Sequence, residues 1–86
     1  DMVVLSNILH EIGQGREMLL KNAYRILKTG GKLIAIEWKK ELSPIGPPLQ
    51  NRIDQQAVEV LLMKYGFRKG KGLETDGYHY AVLFLK

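Results

Sequence analysis

Apolar and polar positions along the chain fall into two kinds of pattern. Met2–Ser6, Lys32–Trp38 and the closing residues Ala81, Val82, Leu83, Phe84 and Leu85 contain unbroken apolar runs. Runs without polar alternation are characteristic of strands covered on both faces, as in a parallel sheet. Residues 16–28 instead place Leu20, Tyr24 and Leu27 on one helical stripe, with Leu19, Ala23 and Ile26 beside it. A second stripe, Val58, Leu61, Leu62 and Tyr65, predicts a helix that starts after Asp54 as N-cap and stops at Gly66. Gly30 suits the left-handed position that closes the first helix, because glycine has no side chain to clash there.

The remaining segments are connections. Residues 7–15 hold Gly13 and Gly15, and residues 39–51 hold Pro44, Gly46, Pro47 and Pro48, which excludes regular structure from that loop. Residues 67–73 form a weaker, glycine-containing strand suited to a sheet edge. Asp76-Gly77 is a hairpin signal before the last strand, residues 78–85.

The order is therefore strand, helix, strand, long loop, helix and hairpin. Two strand–helix units imply parallel, right-handed crossovers. The hairpin must add one antiparallel strand. The most apolar strand belongs inside the sheet, so the last strand is expected between the second and third. The predicted fold is α/β, with a mixed four-stranded sheet and helices on its faces.

At 86 residues there is room for one small core. The 45% hydrophobic content is that of a folded chain. With no cysteine there is neither a disulfide framework nor a thiolate metal site. No apolar run approaches a membrane span and the start lacks a signal-peptide pattern, so a soluble cytoplasmic protein is expected. Asp1 stands directly before a buried-type strand, which suggests a piece of a longer protein, residues 1–86 being one partial domain. The net charge of +4 gathers at Lys39-Lys40 and at Arg68, Lys69 and Lys71. These clusters are short and carry no interleaved aromatics, which favours a solvated surface over a nucleic-acid groove.

Several apparent motifs fail on inspection. Gly13-Gln14-Gly15 begins like a dinucleotide fingerprint, but Met18 occupies the third glycine position and the glycines lie well past the strand. His10 and His79 are the only histidines and form no helical pair, so no metal centre is expected. Trp38, Tyr78, His79 and Tyr80 could stack on a planar substrate or simply pack.

One resemblance organises these features. Leu9-His10 after an apolar strand, Arg25-Ile26-Leu27-Lys28 at a helix end, the Thr29-Gly30-Gly31 turn and the Gly66-Phe67 step resemble the second half of class I S-adenosylmethionine-dependent methyltransferases. Thr29 replaces the proline usual in that turn. Trp38-Lys39-Lys40 and Ile45-Gly46-Pro47-Pro48 are similar to the ubiquinone/menaquinone-biosynthesis subgroup. The glycine-rich cofactor loop of the family's first half does not occur in the 86 residues.

The resemblance implies a Rossmann-like fold that ends in an inserted antiparallel strand. It implies S-adenosylmethionine as cofactor and a small-molecule methyl acceptor. It places Leu5, Ser6 and Asn7 near the cofactor, while Glu37 and Trp38, at the carboxyl end of the second strand, are candidates to bind the acceptor. His10 is either a general base on an acceptor hydroxyl or a packing residue of its loop, with Glu11 nearby to orient it. The piece alone is expected to be inactive. An uncovered Met2–Ser6 strand would also favour a homodimer.

Overall fold

A computed structural model describes residues 2–7, 9 and 15–86. Its elements are β1 (Met2–Ser6), α1 (Gly15–Ile26), β2 (Lys32–Trp38), α2 (Gln55–Lys64), β3 (Arg68–Leu73) and β4 (His79–Leu85). A single 3-10 turn, Leu49–Asn51, interrupts the long loop that the prolines had suggested would be wholly irregular.

The four strands lie in the order β1-β2-β4-β3. β1 and β2 are parallel, with Val3 opposite Leu33 and Leu5 opposite Ala35. β4 is antiparallel to both neighbours, pairing Ala35 with Val82 on one side and Gly72 with Val82 on the other. The mixed sheet and the inserted last strand are those expected from the order and apolar character of the segments. The Arg68–Leu73 strand lies at the edge, where Arg68, Lys69 and Lys71 are exposed and discourage further pairing.

Alternation along each strand sends one set of side chains to a shared core. Leu5, Leu33, Ala35, Tyr80, Val82 and Phe84 pack with Leu20, Ala23 and Leu27 of the first helix region and Val58 and Leu62 of α2. Both helices therefore cover the same face. The opposite face differs from the expectation for β1: Met2 is 59% and Val4 54% exposed. The continuous apolar run predicted cover on both sides, and among the described residues only one side has it.

Local chemistry fixes the helix ends. The Asp54 carboxylate accepts the Ala57 N–H at 2.8 Å, so the predicted N-cap is in place. Gly30 has the left-handed φ anticipated for it, 87°, and Gly66, the expected stop of the second helix, has a φ of 102°. At the C-terminal end of α1, the Lys86 ammonium donates to the Tyr24 and Leu27 carbonyls and lies 4.5 Å from the Tyr24 ring centroid.

Candidate functional site

The carboxyl ends of β1 and β2 adjoin, because Ser6 pairs with Ile36. Ligands of open α/β sheets bind beyond such ends. Leu5 is buried in the core, Ser6 is exposed and Asn7 is half-buried. Asn7 continues the ladder by donating its N–H to the Ile36 carbonyl at 2.7 Å, yet its φ is 57°. Asparagine tolerates this left-handed conformation better than most residues. Its Oδ1 is buried and, among the described residues, accepts no hydrogen bond. An orphaned acceptor at a strand end is able to receive an ammonium, amine or hydroxyl donor.

Glu37 and Trp38 point to opposite faces. Glu37 shares its face with Leu33 and Ala35 and is fully buried. Its Oε2 accepts the Leu9 N–H at 2.8 Å, which ties the segment after β1 to β2 across 28 positions of sequence. Burial raises the phenol pKa of neighbouring Tyr80, with the negative charges of Glu37, Asp54 and Glu59 adding to it. The Tyr80 hydroxyl donates to the Ile53 carbonyl at 2.7 Å and anchors the approach to α2.

The Trp38 indole is packed from within the molecule. The His79 ring lies 4.1 Å away between centroids, and the Arg52 guanidinium 5.3 Å from the indole centroid. Gly46 sits so close that an added Cβ would lie 2.8 Å from the indole, so glycine is required there for sterics as well as for its φ of 99°. His79 Nδ1 pairs with Asp76 at 2.9 Å. That side-chain bond, followed by the Tyr78 N–H, holds the Asp76 carboxyl below its ordinary value.

Sequence reasoning missed Arg52. It is buried at 6% exposure and donates to the carbonyls of Lys39, Glu41, Ile45 and Pro47 at 2.8 to 3.1 Å. One guanidinium thus organises the loop that begins at Trp38. The Asp76–His79 pair was also missed, although its i,i+3 spacing at a turn was a usable signal. His10 and Glu11 lie outside the described residues, as does Gly13. Among the described residues no three metal-ligating side chains gather, and no helix is long and apolar enough to cross a membrane.

This topology is that of the C-terminal half of a Rossmann-like methyltransferase fold. Two solved structures carry the comparison further. A protein described as a type 11 methyltransferase from Sulfolobus solfataricus superposes with a TM-score of 0.89 at 28% identity, over 100% of this chain and 49% of its own. A SAM-dependent methyltransferase from Aquifex aeolicus gives 0.89 at 27% identity, over 99% of this chain and 45% of its own. The chain spans about half the length of these structures. No protein-family model and no curated protein matches it. The two structural matches support reading the chain as part of a class I methyltransferase.

Proposed function

We propose that this chain is the acceptor-side half of an S-adenosylmethionine-dependent methyltransferase acting on a small molecule, and that it does not turn over alone. The observation carrying this reading is the β1-β2-β4-β3 sheet, superposed over the full chain on methyltransferases twice its length. Methyl transfer from a sulfonium is an in-line displacement, so the protein chiefly positions two partners and excludes water. Leu5, Ser6 and Asn7 would lie along the methionine part of the cofactor, with the orphaned Asn7 Oδ1 suited to its ammonium. The cofactor supplies the methyl group when bound. No glycine-rich loop is available within the 86 residues for its adenosine part, which is why turnover is assigned to a larger unit.

On the acceptor side, Trp38 and the loop held by Arg52 border the strand ends, and Glu37 holds the Leu9 N–H. His10 serves as base if the acceptor is a hydroxyl. The ubiquinone/menaquinone-type loop similarity favours a small-molecule acceptor over protein or nucleic acid. Radiolabelled S-adenosylmethionine tests the reading. The isolated chain should transfer no label to a small-molecule panel, and restoring a cofactor-binding N-terminal half should create transfer. Label transfer by the isolated chain would overturn it.

A second reading concerns assembly and is compatible with the first. The outer edge of β1 has no strand partner among the described residues, and Met2 and Val4 are exposed beside it. Such an edge favours pairing with a second copy. Light scattering after size exclusion should give a dimer; a monomer at high concentration counts against it.

A further inference from the structure

Where the first turn of α1 faces α2, the helix-covered side carries a groove of about 560 Å³. Its walls are apolar: Ile53, Ala57, Val60 and Leu61, with Arg16 and Lys64 contributing cations. A second hollow of about 300 Å³ shares Arg16, Ile53 and Ala57 with the first and adds Lys40. The two are therefore adjacent and continue toward the loop after β2. Among their described lining residues the only acid is Asp54, whose carboxylate already accepts the Ala57 N–H.

Arg16 is the telling residue. One terminal nitrogen donates to the Leu9 carbonyl at 3.3 Å, while its Nε is buried and has no hydrogen-bond partner among the described residues. The guanidinium lines both hollows, so the acidic group of a ligand in the groove can form a charge-assisted bond with it. Val60, at 68% exposure, leaves apolar surface open beside that charge.

We infer that this groove binds a small amphipathic anion, an aliphatic or aromatic body along Ile53, Val60 and Leu61 with its acidic group on Arg16. The inference is independent of the methyltransferase reading, since it uses neither the strand ends nor the cofactor.

The test is an amide-shift titration of the 15N-labelled chain with octanoate, repeated with 1-octanol as a neutral body of equal length. Octanoate should shift Ala57, Val60 and Leu61 saturably and bind about tenfold more tightly than 1-octanol, the gain of one charge-assisted bond. Arg16→Gln should weaken octanoate about tenfold. Val60→Glu, at an exposed position that leaves the core intact, should abolish binding while preserving the dispersed spectrum. Three outcomes overturn the proposal: no saturable shifts, equal affinity for both probes, or shifts confined to the open sheet face at Val4, Ile34 and Ile36. Octanoate binding unchanged in Val60→Glu overturns it as well, even if Arg16→Gln fails to fold.

Discussion

Replacing Arg52 with methionine should release the loop between β2 and α2. The guanidinium donates to four loop carbonyls and packs against Trp38. A hydrogen bond involving a charged group contributes about 1.5–3 kcal/mol net, so four would total about 6–12 kcal/mol, comparable to the whole stability of a domain this small. The loop carbonyls regain water when the loop opens, however, which limits the loss. Methionine also retains much of the apolar stem. The expected cost is about 2–4 kcal/mol, set against a total stability of roughly 4–13 kcal/mol for a chain of this length. Urea denaturation followed by circular dichroism measures the global part. Trp38 is the only tryptophan, so its emission reports the local part without further labelling. Arg52→Met should shift that emission to the red before global unfolding, because the indole loses its cover. Arg52→Lys keeps the charge but loses the planar fork, and should recover only part of the stability. A methionine variant within about 0.5 kcal/mol of the parent, with unchanged emission, would refute the assignment of Arg52 as the organiser of this loop.

Further expectations follow from the core, the caps and the titratable groups. Phe84→Ala, at a fully buried position of β4, should cost about 3–5 kcal/mol in the same urea assay. Asp54→Ala should cost about 1 kcal/mol by removing the Ala57 cap, with Asp54→Asn retaining most of it. Gly66→Ala should cost about 1–3 kcal/mol, since φ is 102° and the new Cβ would lie 3.0 Å from the Tyr24 ring. The raised Tyr80 pKa means that the stabilisation of its neutral form is complete below the ordinary value of 10.0 and is lost as pH rises beyond it. Alkaline titration followed by phenolate absorbance should find Tyr80 ionising above its ordinary value, together with unfolding. The lowered Asp76 pKa works in the opposite sense: its contribution is present above 3.8 and disappears as pH falls through the folded value. Asp76→Asn should therefore flatten the acid limb of the stability profile.

Features encoded by neighbours in sequence were the legible ones. Asp54 caps α2, Gly30 and Gly66 take left-handed φ, and the apolar closing strand lies between β2 and β3, each for a reason visible in a few adjacent residues. Arg52 was not legible, because its acceptors are scattered from Lys39 to Pro47 and meet only when the loop folds. Glu37 illustrates a signal that was present but unused. Period-two alternation puts it on the same face as the buried Leu33 and Ala35, whereas its place at the end of the strand had made it a candidate for the acceptor. For β1, the apolar run of Val3, Val4 and Leu5 implied cover on both faces. Composition records what a strand can be packed against; the described residues supply a partner on one side only.

Calorimetric titration of S-adenosylmethionine into the purified 86-residue chain tests the central claim most directly. Half of a methyltransferase fold, with Leu5, Ser6 and Asn7 but no glycine-rich loop, predicts no saturable heat at millimolar cofactor. Stoichiometric binding in the micromolar range would mean that the chain forms a cofactor site by itself, and would contradict the claim.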